Sequence, residues 1–164
     1  IMVDRALPFL TGLAALFLQM MLSDFLTIRG LRPDFVLIFV VYLSLRLGSL
    51  AGIIAGFSLG LAEDFLSAGL LMGLAPLTKS ITGFLVGRLQ GRYNRMSPIT
   101  FHAAWVGIMM VHFFIFIYVN YQSIYATNPG IFLQTYIFAT VYTFIFIVIL
   151  QAIMPFSKVK TLPK

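Results

Sequence analysis

Long apolar stretches run between sparse charges along the whole chain, and this pattern constrains the fold more than any single motif. Apolar residues make up 60% of the 164, and charged residues only 10%. Soluble globular proteins hold about 45–50% and 25%. A soluble protein of this size has no interior large enough to hide so much apolar surface. The pattern is that of a polytopic, all-α membrane protein. Six helices of about 20 residues would use roughly 120 positions and leave about 44 for tails and connections. No soluble catalytic domain fits in that remainder, so function must lie in the membrane, in short loops or in partners.

The apolar segments divide as residues 6–25, 33–47, 50–66, 71–89, 98–119 and 130–154, within one integral-membrane domain spanning 1–164. The apolar run of the first, Ala6 to Leu22, has the length of a signal peptide but is followed by Ser23, Asp24 and Phe25 and no A-x-A-type cleavage site, which predicts an uncleaved helix. Residue 1 is Ile, so either Met2 is the start or the chain begins inside a longer protein. Pro33 suits the first turn of the second helix. The second and third segments are too long to be one span and are interrupted by Arg46, Gly48 and Ser49, which predicts two short helices with a tight turn. Gly69 and Gly73 mark the next turn.

The charges orient the chain. With six spans, Arg5, Arg46, Arg88, Arg92, Arg95, Lys158, Lys160 and Lys164 share one side, while Arg29 and Arg32 lie on the other. Lys and Arg accumulate on the cytoplasmic side, which places both termini there. The net charge of +6 is accounted for by orientation, not by nucleic acid. Tyr118, Tyr121 and Tyr125 would belong to an outer interfacial belt.

Gly52, Gly56 and Gly60 recur every four residues, as do Gly83, Gly87 and Gly91. Such stripes let helix backbones approach closely in lipid. They serve either packing of the third helix against the fourth or its neighbours, or a surface for another protein's helix. Asp64 continues the first stripe and Lys79 precedes the second. Membrane-embedded charges face protein or a water cavity, so a structural Asp64–Lys79 pair is expected. A proton or ion pathway is the sharper alternative, though one acid and one base make a poor relay. Glu63 is assigned to the interface, and Asp34 to the helix N-terminus, where a carboxylate is favourable.

Chemistry beyond this is sparse. The chain has no Cys, which removes disulfides and thiolate metal sites. His102 and His112 are ten residues apart, about 80° apart in direction and about 15 Å in height on one helix, so they cannot share an ion. No nucleophile motif is present, and no cofactor is implied. An intramembrane enzyme would have only Asp64, Glu63 and Lys79 to work with.

Pro33–Asp34, Gly52, Gly56–Phe57, Gly60–Leu61 and Asp64, followed by Gly69, Gly73 and Leu74, resemble the bacterial rod shape-determining MreD family. The resemblance spans about residues 31–92 and rests on G-F-x-x-G-L-x-x-D with an upstream P-D. It implies a non-enzymatic subunit of the cell-elongation, or peptidoglycan-synthesis, machinery in the cytoplasmic membrane. The partners implied are MreC and, directly or through it, the elongation transpeptidase, the RodA glycosyltransferase and the actin-like MreB, with membrane lipid around them. A homodimer is left open. Pro33, Asp34, Gly52, Gly56, Phe57, Gly60 and Asp64 would shape the bundle and its partner surface; Lys79, Gly83 and Gly87 join them on the local argument alone. The family fold is similar to the substrate-binding subunits of energy-coupling-factor vitamin transporters. Such a subunit is the rival reading, and it would need a ligand pocket under outer loops.

Overall fold

The computed structural model describes residues 2–67 and 71–159. Seven α-helices form, and no strand among the described residues. They are α1 (Met2–Leu26), α2 (Phe35–Leu47), α3 (Ser49–Ser67), α4 (Leu74–Gly87), α5 (Pro98–Asn120), α6 (Gln122–Thr127) and α7 (Pro129–Ile153). Among the described residues, three helices are long and apolar enough to cross a membrane: Ser49–Leu66 within α3, Pro98–Asn120 and Pro129–Ile153. Leu10–Leu22 and Phe35–Leu47 are shorter apolar helices.

Local chemistry sets most of the helix ends. Asp34 is the N-cap of α2, its side chain accepting from the Leu37 N–H at 2.7 Å. Pro33 therefore sits just before the cap, not in the first helical turn. Ser97 and Asn128 cap α5 and α7 in the same way, each followed by Pro at the first helical position. Gly48 alone separates α2 from α3. Its φ of +91° is open to glycine and closed to most side chains, and its N–H bonds the Ser44 carbonyl at 2.8 Å. Helix α4 is shorter than its apolar segment, because Gly73 begins it with a left-handed conformation and the chain leaves the helix at Arg88. The uncharged connection after α5 is itself partly helical, as α6. Gly69, Lys160 and Lys164 lie outside the described residues.

The closest helix contact is antiparallel, between α3 and α4. Gly52 lies against Gly83, Gly56 against Lys79, Gly60 against Pro76 and Gly87 against Ser49, in each case backbone to backbone. A Cβ added at Gly56 would stand 2.5 Å from the Lys79 carbonyl oxygen, and one at Gly60 2.6 Å from the Pro76 nitrogen. The two glycine faces are occupied by each other. Phe57 is on the opposite side of α3 and 54% exposed, in line with Leu50 and Ile54.

A second layer packs by bulk. Leu37, Val41 and Leu45 of α2 meet Phe101, Trp105, Met109 and Phe113 of α5, with Ile147 of α7 behind them. After α7 the chain turns back through a short 3-10 segment, Phe156–Lys158. Phe156 inserts there, 4.8 Å from the Tyr42 ring and 5.4 Å from the Trp105 ring. The Tyr42 hydroxyl donates to the Met154 carbonyl at 3.0 Å. At the same end Gln90 donates to the Arg46 carbonyl at 2.9 Å, which joins the α2–α3 turn to the segment after α4.

Gly56→Leu should prevent the α3–α4 approach, with a loss of at least about 1–3 kcal/mol from overpacking against backbone that cannot yield. Gly107→Ala, where an added Cβ meets nothing within 4 Å, should instead gain about 0.5–1 kcal/mol. Thermal unfolding in detergent, read from the single tryptophan at Trp105, would compare them.

Candidate functional site

Lys79 projects from the middle of α4 and is completely buried. Its Nζ lies 2.7 Å from Asp34 Oδ2 and 2.7 Å from Glu63 Oε2. Both carboxylates are held by further bonds. The other oxygen of Asp34 caps α2, and its backbone N–H donates to Thr143 Oγ of α7 at 3.2 Å. Glu63 Oε1 accepts from Gln19 Nε2 of α1 and lies 3.6 Å from Arg32 Nη2. Gln19 in turn takes the Val36 N–H at 3.0 Å on its own carbonyl oxygen. One ammonium thus gathers α1, the start of α2, α3 and α7 around α4.

This corrects the expected Asp64–Lys79 pair. Asp64 is 8% exposed and its Oδ2 accepts from the Gly73 N–H at 2.7 Å. It closes the turn into α4 instead of meeting the lysine. The reason is helical arithmetic. A stripe at every fourth residue drifts about 40° per step, so Asp64 stands about 80° from Gly56. Glu63, seven residues on, stands only about 20° from it. Because Gly56 is the residue that abuts Lys79, Glu63 and not Asp64 shares its face. The assignment of Glu63 to the interface alone missed this; the seven-residue spacing was the available signal.

The other predicted positions separate into three groups. Asp34 and Lys79 are brought together. Gly52, Gly56, Gly60, Gly83 and Gly87 form the α3–α4 contact, and Phe57 faces outward. Pro33 and Asp64 join the wall of a cavity of about 460 Å³ that opens beside the ion cluster. Arg32, Asp34 and Glu63 line it too, with Phe113 and Phe116 of α5 opposite. The two histidines have separate partners. His112 is buried, its Nδ1 3.0 Å from Thr82 Oγ and its ring stacked on Phe116. His102 Nδ1 accepts from the Trp105 indole N–H at 2.9 Å.

The cluster can hold helices together, but it offers no nucleophile with an adjacent base. Removing one member of a buried ion pair costs about 3–5 kcal/mol, because it strands the partner charge. Lys79→Met should therefore lower stability by about that amount, and neutralising the carboxylates with it (Asp34→Asn and Glu63→Gln) should recover most of the loss. A cycle of unfolding midpoints over these variants would test the coupling; strictly additive effects would refute it.

The family model described as rod shape-determining protein MreD matches residues 3–156. No curated protein and no solved structure matches the chain. A match over nearly the whole chain, on a bundle of apolar helices, makes this a multi-pass inner-membrane protein with a role in rod-shape determination: the chain belongs to the MreD family.

Proposed function

We propose that the chain is a non-enzymatic membrane scaffold that regulates peptidoglycan synthesis during cell elongation. It crosses the membrane six times, through α1 to α5 and α7, with both termini in the cytoplasm. Within the bilayer it holds the transmembrane segment of an MreC-type partner, and through that partner it biases the elongation transpeptidase and the RodA-type glycosyltransferase between inactive and active arrangements.

The observation that carries this reading is the match of residues 3–156 to a shape-determining family. Two features of the bundle support it. Its α3–α4 glycine faces are occupied by each other and its buried lysine by its own carboxylates, so what the helices present to the membrane is an apolar exterior. Of the positions singled out for partner contact, Phe57 is the one that faces outward, on the exposed α3 face with Leu50 and Ile54. The orientation is supported by Arg46, Arg88, Arg92 and Arg95, which belong to the two connections that Gln90 bridges. Tyr118 and Tyr125, packed ring to ring at 5.2 Å, suit the opposite interface. The α2 and α4 helices, at 13 and 14 residues, are short for a bilayer. They cross it as parts of the bundle and not as independent spans. A vitamin transporter's binding subunit would use the same cavity, but the family description names shape and not transport.

Two experiments test these statements. The tagged full chain, extracted from native membranes in mild detergent, should retain a single-span partner and cell-wall synthases; an ATPase pair in their place would move the answer to uptake. Equal synthesis by the purified complex with and without the chain would overturn a regulatory role. Orientation is checked separately, because the natural chain has no Cys. Ser123→Cys should react with an impermeant maleimide in intact spheroplasts, and Asn94→Cys only after they are opened.

A further inference from the structure

We propose that the cavity beside the Lys79 cluster is a binding site for a compact headgroup carrying a primary ammonium a few bonds from an anionic group. The argument starts from charge. Arg32 and Lys79 supply two positive charges, and Asp34, Glu63 and Asp64 three negative ones. Lys79 lies between Asp34 and Glu63, and Arg32 stands beside Glu63. Asp64 accepts from the Gly73 N–H, and among the described residues no cation pairs with it. The cluster is left formally one negative charge in excess, on a carboxylate at the cavity wall. An ionised side chain inside a membrane bundle is normally compensated. Here the compensating group is one the cavity admits from outside.

The dimensions suit an organic ligand better than a bare ion. A volume of about 460 Å³ falls within the usual range for small organic ligands, about 300–1,000 Å³. The walls are mixed: Leu71, Leu74, Phe113 and Phe116 supply apolar and aromatic surface next to the carboxylates. An ammonium at Asp64 would have aromatic rings across the same cavity, a favourable setting for an organic cation. Arg32 supplies the second pole. Its side chain is 34% exposed and its contact to Glu63 is a loose 3.6 Å, so the guanidinium has donors left for a phosphate or carboxylate. One ligand chemistry satisfies both poles: ammonium to Asp64, anion to Arg32. An ethanolamine phosphodiester at the end of a membrane lipid has it, and so does a free amino-alkyl phosphate. Binding here is independent of the partner contacts proposed above.

The probe is O-phosphoethanolamine, titrated calorimetrically into the purified full chain in nanodiscs of phosphatidylcholine. Saturable binding is expected. Asp64→Asn should weaken it by about tenfold or more, the value of one lost charge-assisted contact. Asn keeps an acceptor for the Gly73 N–H, so its unfolding midpoint should match the wild type. Should that variant fail to fold, Arg32→Gln decides the matter. It should abolish the preference for O-phosphoethanolamine over ethanolamine. Native mass spectrometry separates the sources: phosphatidylethanolamine retained by the wild type, and lost with Asp64→Asn, identifies the lipid, whereas binding of the soluble probe alone identifies a free metabolite. No saturable binding of either probe, or equal binding by the wild type and the variants, overturns the proposal.

Discussion

A lysine ammonium with no access to solvent sets the terms for the rest of this bundle. Bilayer hydrocarbon cannot solvate Lys79, and a membrane interior makes an unpaired charge prohibitive. Its compensation comes from two carboxylates on different elements, Asp34 and Glu63, each 2.7 Å away. Neither carboxylate stands alone either. Asp34 is fixed by the α2 backbone and by Thr143, and Glu63 by Gln19 and Arg32. The geometry at one nitrogen therefore specifies where five segments of chain lie. An apolar replacement of the whole set could be neutral, while removal of one member is not.

The glycine contact is the condition that lets the cluster form. Gly56 brings the α3 backbone against that of α4 at the level of Lys79 itself. With the backbones this close, a carboxylate two turns further along α3 falls within reach of the ammonium. Dispersion between close backbones and electrostatics at one end reinforce each other, and each loses its geometry without the other. The second layer around Trp105 and Phe113 works by volume and by neutral hydrogen bonds such as that from Tyr42 to the Met154 carbonyl, with no ion pair among its described residues. The positional precision of the molecule thus resides in the first half of the chain.

The sequence made the class of fold legible, because hydropathy and charge spacing are properties of single segments. It also marked the break at Gly48, the capping role of Asp34 and the glycine stripes. What it obscured depended on distances between segments. A four-residue stripe was extended to Asp64 by counting, without the angular drift that turns it toward Gly73. Pro33 was assigned two positions too far into its helix, which begins at Phe35 after the Asp34 cap, because proline suits both the first turn and the residue before the cap. Gln19, which ties α1 to both Glu63 and the α2 backbone, carried no sequence signal, since one amide in an apolar run has no period to announce it. The cavity was equally hidden, being formed where α1, α3, α5 and the connection before α2 fail to fill space together.

Helix α4 has only 14 residues and carries the buried lysine. A segment of that length and charge does not partition into a bilayer by its own hydropathy, since a central lysine alone opposes insertion by about 2.5–3.5 kcal/mol. The six-span arrangement proposed above would therefore require α4 to enter the membrane together with α3, as a hairpin joined along the glycine faces. The ammonium then enters with Glu63 beside it and meets Asp34 only when α2 is in place. The order of translation suits this, since α2 and α3 leave the ribosome before α4. The insertion machinery would have to hold two helices until the third arrives.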